Sequence, residues 1–357
     1  MPIENPALPP DSIVLITGVN GLVGSHVADQ VLLHGYRVRG VVRNLKKHEW
    51  MIAFFASRYG ADRFSLTEIA DLTKAGAFVD AVKGVAGVMH VASPVDINPD
   101  PDVVIPIVVD STLNALTAAS DEAGTVKRFV LTSSGSAVVF PKPNHRVNVT
   151  AETWNEESVR IVQDFPADMS VIQRGFVVYM ASKVKGEQAL WNWVKENPNS
   201  SLAVNAVLPG GAFGPVLSPE HQGYPSTTGL VAALFTNNTE IVDLIIRDYA
   251  PEYFVDIQDV ARLHVAALLH PDVKGERIFA YNTPFNWNTV LGAFRKLYPE
   301  RTFRDDEPGL WDDLSIVEPA KRAEALLREM GREGFTGLEE SLRRNVQEIV
   351  DADGSGP

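Results

Sequence analysis

Up to Pro209 the apolar positions of this chain follow two rhythms that take turns. Short runs rich in Val and Ile, such as "SIVLITG" from Ser12, suit a strand. Stretches such as "GLVGSHVADQVLLHG" from Gly21, with apolar residues three and four places apart and a closing glycine, suit a helix. The alternation continues with strand "YRVRGVVR", helix "HEWMIAFFASRYG", strand "RFSLTEIAD", helix "AGAFVDAVKG" and strand "GVMHVAS". Helix "VVDSTLNALTAASDEAG", strand "KRFVLTSS", helix "VVYMASKVKGEQALWNW" and strand "SLAVNAVLP" complete it. This order predicts an α/β fold, a doubly wound parallel sheet with helices on both faces, because crossovers between parallel strands are right-handed. From Gly210 to Gly229 glycine, proline and threonine dominate and the pattern loosens, which predicts a smaller second lobe. The expected organisation is a dinucleotide-binding Rossmann domain over 11–208, to which 254–270 returns, an interleaved substrate lobe over 209–350, and flexible termini at 1–10 and 351–357.

Composition narrows the partners. The chain has 357 residues, 45% of them apolar, enough for one large domain or two fused lobes. The formal net charge is -13 and basic clusters interleaved with aromatics are missing, which argues against nucleic acid or an anionic membrane and for a small molecule. With no cysteine, disulfides, thiolate metal sites and cysteine nucleophiles are excluded. The leader "MPIENPALPPDS" lacks the basic flank and apolar run of a secretory signal, and no apolar stretch is read as approaching the ~20 residues of a membrane span. A cytoplasmic protein, monomeric or homodimeric, is expected.

The first strand–helix junction, "TGVNGLVG", spaces glycines at 18, 21 and 24. There glycine permits a tight turn and the approach of a pyrophosphate, and the helix N-terminus offers free amides and a positive dipole end. The acid that would hold an NAD ribose some 20 residues on is missing between Gln30 and His48. That segment carries Arg37, Arg39, Arg43, Lys46 and Lys47 instead, which favours NADPH and its 2′-phosphate.

In "YMASK", Tyr179 and Lys183 lie four apart, on one helix face, and Tyr179 is alone among eight tyrosines in having lysine at that offset. An ammonium ~4 Å from a phenolate at an effective dielectric near ~20 is worth ~4 kcal/mol, so Tyr179 is expected to titrate near neutrality and serve as proton donor. The serines of "FVLTSS", Ser133 and Ser134, end a strand where ligands of parallel sheets gather, and one of them can donate to a substrate carbonyl. The eight histidines show no ligand spacing, so no metal is expected. Asp256 and Asp259 are read as structural, Asp256 as a helix cap.

Taken in order, "TGVNGLVG", "HVASP", "LTSS" and "YMASK" resemble the extended short-chain dehydrogenase/reductase superfamily. Within it, the chain from about Ser12 to Val350 most resembles fungal NADPH-dependent carbonyl (aldehyde) reductases related to plant dihydroflavonol reductases. That resemblance implies Ser134, Tyr179 and Lys183 as the catalytic set, with Lys183 also on the nicotinamide ribose. It implies cofactor contacts at Gly18, Asn20, Gly21 and Leu22 in the turn, Arg43 and Lys47 at the 2′-phosphate, and Asp71 with Leu72 near adenine. Val91, Ala92 and Ser93 would run beside the nicotinamide half, with Thr132, Pro209, Gly211 and Ser226 completing the set. Ser134, Gly135, Leu230, Tyr249 and Glu252 would border the substrate. Val19 stands where the family usually has alanine, and is expected to crowd the turn slightly.

The expected activity is hydride transfer from NADPH to a neutral, largely apolar ketone, ketoester or aldehyde, giving a chiral alcohol and NADP+. Two alternatives stand beside it. A nucleotide-sugar epimerase or dehydratase would need cations for a substrate pyrophosphate, yet Arg247 is the one Lys or Arg between Gly210 and Val255. A non-catalytic dinucleotide sensor would tolerate loss of the serine, tyrosine or lysine, and all three are present.

Overall fold

The computed structural model describes residues 3–354 apart from 95, 96, 123 and 143, and the side chains of 244, 245, 247 and 248 also lie outside the described residues. The β-branched runs form strands β1 (Ile13–Thr17), β2 (Arg37–Val42), β3 (Phe64–Glu68), β4 (Gly87–His90) and β5 (Arg128–Thr132). After a two-residue strand β6 (Asn148–Val149) come β7 (Ala203–Pro209), β8 (Gly211–Phe213), β9 (Glu252–Asp256), β10 (Arg277–Ala280), β11 (Thr283–Phe285) and β12 (Ile316–Val317). Seven of them make one sheet in the order β10-β7-β5-β4-β1-β2-β3, every neighbouring pair parallel. The chain winds outward from β1 to β3 and then jumps back to β4 beside β1, opening a crevice at the carboxyl ends of β1 and β4.

One face of the sheet is covered by the helices Leu22–Leu33 and Ile257–Leu269, which pack together in a core that includes Val27, Val31, Val265 and Leu268. The other face carries Pro101–Asp121 and Val171–Glu196, also packed on each other. A second sheet, β11-β9-β8, with the helices Thr227–Phe235, Trp287–Leu297 and Leu338–Asp353, forms the smaller lobe around Phe213, Phe235, Phe254, Trp287 and Phe294. A short β12-β6 ladder ties the late chain to the loop after β5.

Several sequence expectations need correction. Residues 75–84 form hydrogen-bonded turns rather than an α-helix: Gly76, at φ +78, interrupts the segment, although Phe78, Ala81 and Val82 still bury the apolar side that suggested one. The next helix begins at Pro101, seven places before Val108, because Asp100 caps it through Asp102 N at 3.0 Å and proline fits a first turn. This 21-residue helix is long and apolar enough to cross a membrane by length and composition; it lies within the α/β layers, with Val104, Val108, Ala115 and Leu116 buried. Within 254–270, β9 joins the small sheet and the helix Ile257–Leu269 returns to the large one, as does β10 beyond it. The leader is not free: Leu8 is buried, Ala7 N donates to Leu269 O at 2.7 Å and Tyr36 Oη to Leu8 O at 3.0 Å. At the other end helix runs to Asp353, while 355–357 lie outside the described residues.

Candidate active site

The glycine turn closes the first crossover. Gly18 has φ +62, and a methyl there would stand 2.9 Å from Ala92 Cα, so glycine is required both by conformation and by the approach of the β4 end. A methyl on Gly24 would meet Gly18 O at 2.1 Å, which is why the helix can start hard against the turn. Gly21 is the N-cap and supplies no capping side chain, leaving the first-turn amides available to an anion. Val19 does not crowd the turn. Its side chain is buried over Gly40 of β2, where an added methyl would meet Val19 Cγ1 at 2.6 Å.

One residue that the sequence reading missed, Thr17, holds the neighbouring strand. Thr17 Oγ1 accepts from Val91 N and from Ala92 N, both at 2.9 Å, and lies 3.1 Å from His90 Nδ1. This pins "HVAS" alongside the turn. Ser93 Oγ is buried there with no hydrogen-bond partner among the described residues, as is His90 Nε2. A buried hydroxyl left unsatisfied beside an open helix N-terminus fits a site that receives a polar ligand.

The basic segment divides by role. Arg37 pairs with Asp11 at 3.2 Å, and Arg39 donates to Ala81 O and Lys83 O at 2.7 and 2.8 Å, so both are engaged in the fold. Arg43, Lys46 and Lys47 follow β2 and have no ion pair among the described residues. Asn44 caps the single helical turn after it, accepting from Lys47 N at 3.0 Å, and Leu45 N donates to Glu68 Oε2 at 2.7 Å. Burial and then the charges of Lys47 and Arg43 depress the His48 imidazole, which places those cations together. Asp71, just past β3, accepts at Oδ1 from Thr73 N and Oγ1, bonds that hold its carboxyl below the usual range. Leu72 follows, its carbonyl taken by Asn114 at 3.1 Å.

Ser134 ends the β5 segment and caps a short 3₁₀ turn, accepting from Ser136 N at 3.2 Å. Its side chain is hydrogen-bonded to Tyr179, and Lys183 Nζ stands 5.7 Å from the Tyr179 ring centroid. The three predicted residues therefore meet, presented by a strand end and by one face of the long helix. That helix starts where Ser170 and Gln173 form a reciprocal capping box. The expected acidification of the phenol is not what the geometry produces. Burial pushes Tyr179 up and the charge of Glu252 adds to it, with the Ser134 hydrogen bond working the other way; the ammonium stands off the ring. Burial likewise brings Lys183 down to about 8, against the pull of Glu187.

Beside this set a cavity of about 880 Å³ is walled by Gly135, Tyr179, Ser226, Leu230, Tyr249 and Glu252. Thus the predicted substrate residues share one space, except that Ser134 contributes through Tyr179 rather than as a wall. Gly135 is needed because a methyl there would lie 2.7 Å from the Tyr281 hydroxyl. Gly211, after Pro209, lets Glu252 Oε1 come within 3.0 Å of where its methyl would be. Tyr249 donates its hydroxyl to Glu252, whose exposure is to the cavity while protein surrounds it; burial drives that carboxyl up to about 7. Thr132, at the β5 end, is engaged with His264 Nε2 at 2.7 Å. The argument that used Arg247 rests on a side chain outside the described residues. Asp256 accepts from Gln258 N and Ser341 Oγ, and Asp259 from Arg262 and Thr336 N, which accounts for both without catalysis. Among the described residues there is no group of three metal-ligating side chains.

The model of the NAD dependent epimerase/dehydratase family matches residues 14–282. The chain belongs to this family. Similar members include aldehyde reductase 2 of Sporidiobolus salmonicolor, 39% identical over 96% of this chain and 97% of that one. Ketoreductase adrE of Penicillium rubens is 36% identical over 96% and 98%. The family fold is also seen in the crystal structure of Gre2 from Candida albicans in complex with NADPH, with a TM-score of 0.79 at 23% identity, covering 96% of this chain and 99% of that one.

Proposed function

We propose that the protein is an NADPH-dependent carbonyl reductase that turns a ketone, ketoester or aldehyde into a chiral alcohol. The observation that carries this reading is the meeting of Ser134, Tyr179 and Lys183 at the wall of a largely apolar cavity beside the glycine-turn crevice. The names of the aldehyde reductase and ketoreductase relatives, which match nearly end to end, support it.

When bound, NADPH supplies the hydride for the carbonyl carbon. Tyr179 gives its phenolic proton to the carbonyl oxygen, and Ser134, already hydrogen-bonded to that phenol, steadies the same oxygen. Lys183, its ammonium 5.7 Å from the ring centroid, supplies a positive charge that offsets part of the cost of a buried anion when the phenol gives up its proton. For the cofactor, the amides after Gly21 suit the pyrophosphate, Ser93 offers an unmet hydroxyl, and Arg43 with Lys47 suits a 2′-phosphate. The cavity walls, with Leu230, Phe176 and Trp311 among them, favour a neutral, largely apolar substrate body. A cytoplasmic monomer or homodimer is the accompanying expectation, supported by the acidic, cysteine-free composition.

The test is a panel of aldehydes, aryl ketones and ketoesters, each offered with NADPH and with NADH, following loss of reduced-cofactor absorbance and product chirality. Turnover with NADPH and an enantiomeric excess are expected. Absence of NADPH oxidation with every carbonyl would sink the reading.

A further inference from the structure

The face of the long helix that carries Tyr179 and Lys183 carries one more residue, a turn further on. Glu187 is buried, and its carboxylate collects hydrogen bonds from three elements. Oε2 accepts from Ser133 Oγ at 2.6 Å and from Arg277 at 3.4 Å; Oε1 accepts from Arg277 Nε at 2.7 Å and from Trp191 Nε1 at 3.1 Å. Ser133 directly precedes Ser134, and its own amide donates to Val207 O at 2.8 Å. Arg277 is held in turn by Ala151 O and Thr153 O, at 2.6 and 2.9 Å, and its guanidinium lies 3.8 Å from the Trp154 ring centroid.

We propose that Glu187 is a positioning residue for the reductase chemistry: it keeps the buried ammonium of Lys183 charged and anchors the β5 end that presents Ser134. The proposal rests on the reductase reading above.

An isolated ammonium in a protein interior tends to give up its proton, because the charged form is the one that loses hydration. Lys183 is 6% exposed and has no ion pair at contact distance among the described residues. Tyr179 and Glu187 face it from its own helix, and His90 faces it from β4, a neutral imidazole that Lys183 itself helps to keep unprotonated. Arg277 and Tyr281, from β10 and just beyond, face Glu187. Glu252 acts on Tyr179 from the cavity side. Of the groups that act directly on the Lys183 charge, Glu187 is the negative one, and it opposes the burial that pulls the ammonium down to about 8.

A purely structural tie between helix, β5 and β10 would show the same hydrogen bonds, so the test reads charge. In full-length protein with ¹³C-labelled lysine, titration of Lys183 is followed by NMR without cofactor, its resonance assigned by Lys183→Arg. Glu187→Gln is expected to move that titration down by about one pH unit or more. Arg277→Met is expected to move it up, since it removes a nearby cation and leaves the carboxylate unshared. Should Glu187→Gln not fold, Arg277→Met carries the same test with the opposite sign. Ser133→Ala should leave the Lys183 titration in place while lowering kcat several-fold at unchanged KM for NADPH. Titrations that stay put in both charge variants, with only a lowered Tm, would overturn the charge role, and full kcat in Ser133→Ala would overturn the anchoring role. Shifted titrations in a protein whose wild type reduces no carbonyl would support Glu187's hold on Lys183 and count against the reductase reading instead.

Discussion

At the scale of single residues, the proposed function makes turnover depend on the phenol of Tyr179. Tyr179→Phe is expected to lower kcat at least ~10²-fold while NADPH still binds, checked by steady-state kinetics alongside cofactor fluorescence. Burial and Glu252 make this phenol a reluctant acid, so the carboxyl of Glu252, itself pushed up to about 7, has a predictable influence. As pH rises through about 7 Glu252 gains its negative charge, phenolate formation beside it becomes harder, and reduction should slow. Glu252→Gln removes that charge and should flatten this part of the kcat profile; an unchanged profile would show that the carboxyl does not act on Tyr179. Arg43 belongs to a basic cluster from which Arg37 and Arg39 are excluded by their partners. Arg43→Ala should therefore raise KM for NADPH far more than KM for NADH, and equal effects would remove it from the phosphate site.

At the scale of elements, helix starts and strand ends do most of the positioning. The capping box at Ser170 fixes the start of the helix that carries Tyr179, Lys183 and Glu187. Ser170→Ala is expected to cost about 1 kcal/mol in denaturant unfolding while leaving kcat nearly unchanged, because Tyr179 lies more than two turns away. A change at Gly24 should do the reverse of a harmless helix substitution: alanine there meets Gly18 O at 2.1 Å, so the turn must shift or the helix must back away. The element-level pattern was largely readable in advance, since "SIVLITG" and "GLVGSHVADQVLLHG" carry their own periods. It failed at 75–84, where apolar spacing produced buried turns, and at Pro101, where the cap at Asp100 outweighed a weaker apolar pattern.

At the scale of the whole molecule, three imidazoles are sealed inside: His26 and His264 are pushed down to about 4 and His90 to about 3, burial being the leading cause in each. Their unfolded values lie near 6.5, so above that pH neither state binds the proton and stability is unaffected. As pH falls below 6.5 the unfolded chain protonates first and stability drops, by roughly 2 kcal/mol per histidine at pH 5. Thermal unfolding from pH 7 to pH 5 should show a falling Tm, and His26→Gln or His264→Gln should reduce the slope. By itself the sequence determined the alternation of strands and helices up to Pro209 apart from 75–84, the glycine turn, the basic segment after β2 and the shared face of Tyr179 and Lys183. Each of these follows from spacing over a few residues, which steric and helical periodicity translate directly into position. Only the tertiary structure decided which arginines of the basic segment are tied into the fold, that Gly40 makes room for Val19, and that Glu187 meets Arg277 across 90 residues. Those outcomes depend on sheet order and on which strand ends arrive side by side, and the local dielectric they create then sets the charges of Tyr179, Lys183 and Glu252.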